Sequence, residues 1–185
     1  MRATTALVAL TLPLALACDG NSPTSTSGTL TIVPAGATLS EGESLNLQVV
    51  PADGAAGAAV SWSSTRPLVA AVDAAGRVTT RNELGTAQIV ATVDGATAVA
   101  EVSVEARCGD PAPLTGNPAV SAQARPMAVT LADGLNVDST AQALARELGF
   151  TITEILPDGF RAALSVPTVA ELRCRSEVVA IAYPT

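Results

Sequence analysis

One stretch of the sequence, residues 60–80, constrains the fold more than any other because it holds the only Trp of the chain. Val60 and Trp62 share one parity and alternate with serines, which is typical of a strand with one buried face. Arg66-Pro67 interrupts the pattern, and two short apolar segments follow, separated by a turn that ends at Gly76. Short strands joined by tight turns around one large aromatic side chain predict a β-sandwich with Trp62 as its core anchor.

The same kind of pattern extends over residues 30–104. Apolar residues of the segment 45–50 alternate with polar ones, which predicts one half-buried strand. Residues 85–93 place apolar side chains on one face, and Asp94-Gly95 is typical of a hairpin turn. Strands that recur at nearly regular spacing, with turn signals between them, predict a mainly β fold of the sandwich type.

Residues 126–185 change to alternating strands and helices. The first helix is predicted at 138–148, with Asp138 or Ser139 as its cap, and Ser165 opens the second. The order β-α-β-β-α-β predicts a small α+β domain of ferredoxin-like topology. We expect one four-stranded sheet with both helices on the same face.

The N-terminal segment, residues 1–17, is predicted to be a signal peptide. Its apolar run is too short to cross a bilayer as a mature helix. The run ends in Leu14-Ala15-Leu16-Ala17-Cys18, which resembles the lipobox of bacterial lipoproteins. The resemblance implies an exported protein of the cell envelope, anchored to a membrane by acyl chains on Cys18. The alternative is an ordinary secretory peptide with a coincidental Cys. Residues 18–28 are small and polar, which predicts a flexible tether.

The missing residue types narrow the function. The chain has no His, and all ten of its basic residues are Arg. This excludes Ser-His and Cys-His nucleophile pairs, catalytic lysines and His-ligated metal sites. The net charge of −7 argues against a nucleic-acid partner. Carboxylates remain at predicted turns and helix surfaces, where solvated charge is expected: Asp133, Asp138, Glu147, Glu154 and Asp158. We therefore expect no enzyme, no catalytic residues and no cofactor.

Three aspartates could be considered as calcium ligands, namely Asp53, Asp73 and Asp94. They do not form a run of alternating acidic residues that would suit an oxygen cage, and each lies at a predicted turn. We interpret them as turn formers and predict no metal site.

Two cysteines, Cys108 and Cys174, remain once Cys18 is acylated. In an exported protein, two such cysteines most simply form one disulfide. The alternative, a two-thiolate metal site, lacks further ligands. Residues 107–125 are rich in Pro and Gly and are predicted to be a linker. The disulfide would then join this linker to the C-terminal segment.

The motifs of residues 29–106 resemble the bacterial Ig-like group 2 (BIG2) domain. The resemblance implies an Ig-like sandwich on a bacterial surface, used as a spacer or adhesion module, with no catalytic residues. It is carried by these segments, in order: Leu39-Ser40-Glu41-Gly42, Val60-Ser61-Trp62-Ser63-Ser64, Val69-Ala70-Ala71-Val72-Asp73, Gly76-Arg77-Val78-Thr79 and Gly85-Thr86-Ala87-Gln88-Ile89-Val90-Ala91-Thr92.

The segment 126–185 resembles the subtilisin propeptide-like inhibitor I9 family. Members of that family chaperone or inhibit subtilisin-type proteases, with a C-terminal tail in the active-site cleft. Here the tail is predicted to be short. The resemblance is carried by these segments: Val129-Thr130-Leu131-Ala132-Asp133-Gly134, Ala143-Leu144-Ala145-Arg146-Glu147-Leu148-Gly149, Gly159-Phe160-Arg161-Ala162-Ala163-Leu164-Ser165 and Leu172-Arg173…Val178-Val179-Ala180-Ile181.

Two functional hypotheses follow. In the first, the chain is a non-catalytic envelope lipoprotein whose Ig-like domain acts as a surface spacer or interaction module and carries a small protein-binding domain. Its partner is then another envelope or extracellular protein. In the second, the chain inhibits subtilisin-like serine proteases in trans. The residues that would contact the protease are at the C-terminal end: Ala182, Tyr183, Pro184 and Thr185.

Overall fold

The structure of the protein is a computed structural model that describes residues 30–50, 59–116 and 123–183. The predicted signal peptide, Cys18, the predicted tether, Asp53, Pro184 and Thr185 lie outside these residues. The described chain is mainly β. Its first part, the N-terminal unit, forms these strands: β1 (Thr31–Val33), β2 (Gly36–Ser40), β3 (Ser44–Asn46), β4 (Gln48–Val50), β5 (Ser61–Ser64), β6 (Ala70–Val72), β7 (Arg77–Thr80), β8 (Gly85–Val93) and β9 (Ala96–Glu105).

The strands of the N-terminal unit form three small sheets around one apolar core. The largest sheet has the order β2-β9-β8-β5, a second has the order β3-β7-β6, and β1 pairs with β4. Strand β2 runs parallel to β9, whereas the other neighbours are antiparallel. Because every second residue of a strand points to the same face, small aliphatic side chains fill the space between the sheets. The fully buried ones include Val69, Val78, Ile89 and Val102.

Trp62 lies at the margin of this core rather than at its centre. It is half-buried, and its strand β5 is at an end of the four-stranded sheet. Its ring packs beside Gly76, where an added Cβ would lie 2.9 Å from Trp62 Cζ2 and 2.7 Å from the carbonyl oxygen of Leu47. Gly76 also has a φ of +80°, so this close approach and this backbone conformation both favour glycine.

The segment 45–50 is divided between two strands in different sheets, not one continuous strand as predicted. Leu47, at the break, is buried, and its backbone N–H donates to Gly76 O at 2.9 Å. The alternating pattern could not reveal this break, because inward-facing apolar residues (Leu45, Leu47 and Val49) continue to alternate with exposed ones across it.

The second part of the chain, the C-terminal unit, comprises residues 107–183. Its elements follow the predicted order of strands and helices, with one additional short strand before them. They are β10 (Leu114–Thr115), β11 (Arg125–Leu131), α1 (Val137–Leu148), β12 (Ile152–Leu156), β13 (Gly159–Leu164), α2 (Val166–Leu172) and β14 (Val178–Ala182).

These strands form one sheet of five strands with the order β10-β14-β11-β13-β12. Within it, β11 is antiparallel to both β13 and β14, and β12 is antiparallel to β13. Met127, Val129 and Leu131 face the same side as Phe160, and both helices contribute buried residues to the same core cluster. The helices therefore pack on one face of the sheet.

The helix caps differ in part from the prediction. Asn136, not Asp138 or Ser139, caps α1, since its side-chain oxygen accepts from the Ser139 N–H at 3.0 Å. Asn is a preferred N-cap residue, and Asp138 instead places its charge in the first turn, where the helix dipole favours it. Ser165 caps α2 as predicted.

The start of the predicted linker is part of the C-terminal unit. Leu114 and Thr115 pair in parallel with β14, and Ala112 is buried in the core of this unit. The Ala112 N–H also donates to Arg173 O at 2.7 Å. Pro and Gly argue against a helix or a central strand, but they do not prevent a short extended segment from adding to a sheet edge. The sheet has five strands, so the prediction of a four-stranded sheet is wrong by one strand.

No helix in the three described ranges is both long and apolar enough to cross a membrane.

Candidate functional site: the junction between the two units

The two units meet where the turn after β2 faces the end of α2. Glu41 begins this turn, and its backbone N–H donates to Glu105 O at 3.0 Å. Its side chain is fully buried and forms an ion pair with Arg173, which follows α2. A buried pair of opposite charges that joins two units is uncommon, because both charges lose their hydration. We call this pair, together with Arg107, Glu171 and the nearby disulfide, the junction.

Arg173 is held in place from both units. Its Nε donates to Ala112 O at 2.8 Å, while its Nη1 contacts Glu41 Oε1. The second carboxylate oxygen, Glu41 Oε2, is buried and has no hydrogen-bond partner among the described residues. Burial raises the pKa of Glu41 above its ordinary value, although the charge of Arg173 and, more weakly, that of Arg107 act against this shift.

Arg107 forms a second link beside the buried pair. Its Nε donates to the Glu41 backbone oxygen at 3.1 Å, and its Nη1 forms an ion pair with Glu171 on α2. Because this pair is partly exposed, we expect it to contribute less than the buried pair. Arg107 is the first residue of the C-terminal unit, so its hydrogen bond to Glu41 also fixes the direction in which the chain leaves β9.

A disulfide joins the residues next to these arginines. Cys108 and Cys174 are bonded, with their Cα atoms 5.8 Å apart, which confirms the predicted pairing. Cys108 follows Arg107, and Cys174 follows Arg173. The covalent bond therefore holds the chain that leaves the N-terminal unit against the end of α2, at the same place as the ion pairs.

Direct packing completes the contact. Gly42 lies against Pro167, so that a Cβ on Gly42 would be only 2.7 Å from Pro167 Cα. Nearby, Asn82 Nδ2 donates to Val166 O at 3.5 Å. The beginning of α2 is therefore in contact with two turns of the N-terminal unit, and the end of α2 carries the ion pairs.

We expect Gly42→Ala to weaken this contact. Gly42 and Gly134 both have a φ of +82°, but a Cβ on Gly134 would meet nothing within 4 Å. Gly134→Ala is therefore a matched control that measures backbone strain alone. Because the new Cβ would displace Pro167, Gly42→Ala should lower the free energy of unfolding by about 1–3 kcal/mol more than Gly134→Ala. Equal effects of the two substitutions in urea denaturation would contradict the contact.

The raised pKa of Glu41 predicts a pH dependence. Since burial favours the neutral carboxyl, the folded protein binds a proton at Glu41 at pH values where the unfolded chain, with a pKa near 4.5, has lost it. This stabilisation is complete below the unfolded pKa and is lost as the pH rises through the folded pKa. In the Glu41→Gln variant, the side chain at position 41 does not bind or release a proton in this pH range. The stability of the wild type relative to Glu41→Gln should therefore fall with rising pH, and an increase would show that Arg173 outweighs burial.

Of the predicted protease-contact residues, the structure describes Ala182 and Tyr183. Ala182 belongs to β14, and the Tyr183 N–H donates to Thr115 O at 2.9 Å. The Tyr183 side chain is half-buried, and burial raises its pKa. Both residues are therefore held against the fold and are not free to extend from it.

Two of the three aspartates considered as calcium ligands, Asp73 and Asp94, lie in the described part of the chain. In the described ranges, no three His, Cys, Asp or Glu side chains are placed to hold a metal ion. Asp73 Oδ1 accepts from the backbone N–H groups of Ala75 and Arg77, both at 2.9 Å. Asp94 has a φ of 49° in the turn between β8 and β9. These two aspartates thus serve the turns in which they lie.

Sequence reasoning missed the residues that join the units. Glu41 is in a Glu-Gly-Glu turn, where an exposed carboxylate is the ordinary expectation. Arg173 is at the end of an apolar helix, where the sequence gives no reason to expect a buried side chain. The only sequence signal was Cys174, because its disulfide partner Cys108 had to bring the end of α2 close to the start of the C-terminal unit.

Comparison with known proteins gives one family match. Residues 51–98 match the family described as intimin, immunoglobulin-like domain. The match includes the complete strands β5 to β8 and covers about a quarter of the chain. It supports a bacterial Ig-like domain. This domain lies in the N-terminal unit, so the C-terminal unit is outside the matched residues. No curated protein matches the chain.

Among the solved structures that resemble the chain are the following three. One is a bacterial Ig-like domain containing GH10 xylanase from termite gut, with 25% identity and a TM-score of 0.33 over 41% of this chain and 20% of that one. The second is the C-terminal fragment of intimin, in complex with the intimin-binding domain of its translocated receptor. It has 17% identity and a TM-score of 0.34 over 83% of this chain and 65% of that one. The third is the Yersinia pseudotuberculosis adhesin InvE, with 18% identity and a TM-score of 0.26 over 74% of this chain and 47% of that one. The chain thus spans less than two thirds of each of these chains.

Proposed function

We propose that the protein is a non-catalytic surface protein in which the Ig-like domain holds the C-terminal unit in a fixed orientation for contact with a protein partner. The observation that carries this proposal is the junction. The buried Glu41–Arg173 pair, the hydrogen bond from Arg107 to Glu41 and the tight packing at Gly42 act between the two units. The Cys108–Cys174 disulfide holds the C-terminal side of this contact in place. A freely swinging linker would need none of them, whereas a module that presents one surface at a distance from its anchor requires such stiffness.

The proposal includes export and anchoring through Cys18. Its support is the apolar N-terminal segment with its lipobox-like end and the disulfide, since disulfides persist in oxidising compartments outside the cytosol. The acylated Cys18 would fix the protein to a membrane, and residues 18–28 would separate the folded units from it. The match to an intimin Ig-like family is consistent with a place on the cell surface.

Finer assignments of the two units are part of the same proposal. For residues 29–106 we propose a BIG2 domain, on the motifs of the sequence. For residues 126–185 we propose a ferredoxin-like domain related to the I9 family, which the strand order β14-β11-β13-β12 supports. Inhibition of a subtilisin-like protease is not favoured by any contact of the described residues, because Tyr183, which would begin the inhibitory tail, is bonded to Thr115.

The anchoring test compares the full chain with Cys18→Ala in a bacterial host. Cells grown with an alkyne-tagged fatty acid should incorporate the tag into the wild type and not into the variant. An antibody against the C-terminal unit should then label intact cells that express the wild type, whereas the variant should be found in the soluble fraction. Absence of the tag from the wild type, or no label on intact cells, would contradict a lipid-anchored surface protein.

A further inference from the structure

A groove runs beside the disulfide of the C-terminal unit. It has a volume of about 420 Å³, is open to solvent, and is formed by residues 110–113, 173–176 and 178–179. Volumes of this size are typical of sites that bind small molecules. Of the two bonded cysteines, which are both described and both partly exposed, only Cys174 lines the groove. A molecule in this groove, which we call the disulfide groove, therefore approaches the bond from its Cys174 side.

The walls of the disulfide groove carry charges of both signs. Arg175 and Asp110 line it, together with Ser176. Arg175 is paired with Glu147, but its side chain is partly exposed, and Asp110 is exposed. A small polar molecule that carries both a carboxylate and an amine would find an opposite charge for each of them. The groove is thus suited to a polar, amino-acid-like molecule rather than to an apolar one.

The disulfide secures a short edge segment of the sheet. Strand β10 has two residues, and it is joined to β14 by backbone bonds from the Ile181 N–H to Pro113 O at 3.0 Å and from the Tyr183 N–H to Thr115 O at 2.9 Å. Pro113 itself has no N–H to donate. Opening the disulfide would therefore loosen this edge, whereas the other four strands keep their own pairing.

We propose that Cys174 is a site of thiol–disulfide exchange, at which a small thiol bound in the disulfide groove opens the bond to Cys108. The thiolate attacks Cys174 Sγ, a new disulfide forms between the two, and the bond to Cys108 breaks. Cys108 leaves as a thiolate and takes up the proton that the attacking thiol released to solvent. The sulfur of the small thiol is oxidised and that of Cys108 is reduced, so the thiol is the only co-reactant. The product carries the thiol on Cys174 and has a released β10 edge.

The test exposes the folded, oxidised Cys18→Ala protein to reduced glutathione, a small thiol with both an amine and carboxylates. This variant retains Cys108 and Cys174 as its only cysteines. Samples are quenched in acid, free thiols are alkylated, and peptide mass spectrometry locates the glutathione. We expect glutathione on Cys174 and a free thiol at Cys108. Glutathione mainly on Cys108 would overturn the assignment of the site.

The urea dependence of the exchange shows whether the folded protein reacts. The rate should rise in proportion to the concentration of glutathione and stay nearly constant at urea concentrations below the unfolding transition. A bond that opens only in the unfolded chain would instead react faster with each addition of urea, in step with the population of unfolded protein. That result would overturn exchange in the groove.

A matched pair of variants tests the groove itself. Ser176 is exposed on the groove wall, so Ser176→Trp should place a bulky ring over the approach to Cys174. Ala143 is exposed on α1 and does not line the groove, so Ala143→Trp is a control of similar size. Each rate is divided by the rate of the same variant unfolded in urea. Ser176→Trp should slow the exchange several-fold and Ala143→Trp should not, and equal ratios would overturn the role of the groove.

Discussion

Replacing Arg173 by Met should destabilise the protein by about 3–5 kcal/mol at neutral pH. Glu41 is fully buried, and Arg173 is its only ion-pair partner among the described residues. Without Arg173, the carboxylate must either remain charged in an apolar setting or take up a proton against the solution pH. The carbonyl oxygen of Ala112 would also lose the donor at 2.8 Å. Urea denaturation of residues 19–185 measures the change in the free energy of unfolding.

An exposed ion pair of the same unit provides the control. Arg175 Nη2 lies 2.5 Å from Glu147 Oε1, and both side chains are partly exposed. Arg175→Met should therefore cost no more than about 1 kcal/mol. The double variant Glu41→Leu, Arg173→Met should recover much of the loss, since a pair of apolar residues has no charge to desolvate. A cost of Arg173→Met as small as that of Arg175→Met would contradict a buried link between the units.

Removing the disulfide should have an effect of similar size. Cys108 and Cys174 are separated by 66 residues in the sequence. Loop-closure entropy for a loop of that length predicts a loss of about 4 kcal/mol for Cys108→Ser, Cys174→Ser. The loss should be accompanied by faster amide exchange at Ile181 and Tyr183, whose N–H groups donate to Pro113 O and Thr115 O. Both acceptors belong to the segment that the disulfide holds in place.

Reduction of the wild type gives an independent check on the disulfide. The reduced protein and the double serine variant should have the same free energy of unfolding and the same amide exchange rates at these two positions. Amides of α1, far from Cys108 in sequence, report on the unit as a whole. A variant in which only global stability falls, with no additional local exchange at Ile181 and Tyr183, would contradict the idea that the bond keeps β10 on the sheet.

The elements of the fold were largely predictable because their signals are local. Alternating apolar residues and turn-forming glycines determine the strands from β5 to β9, and the periodic pattern with Ser165 as a cap predicts the second helix. The errors arose where the pattern is the same for two structures. Leu47 faces inward whether or not the strand continues, and a Pro-rich segment such as 111–113 can either be a linker or lead into an edge strand.

The junction could not be predicted because it depends on distant residues. Glu41 and Arg173 are 132 residues apart in the sequence, so no local pattern relates them. The cysteines were the exception, because only Cys108 and Cys174 lie outside the predicted lipobox, and a disulfide between them was the favoured prediction over a metal site.

The proposed function requires that the two units form one rigid body. Residual dipolar couplings of backbone amides in residues 19–185, measured in a weakly aligning medium, test it directly. We expect the couplings of the strands β5 to β9 and those of the C-terminal sheet to fit a single alignment tensor with the described orientation of the units. Two tensors of different magnitude would show that the units move independently and would contradict the proposed role of the junction.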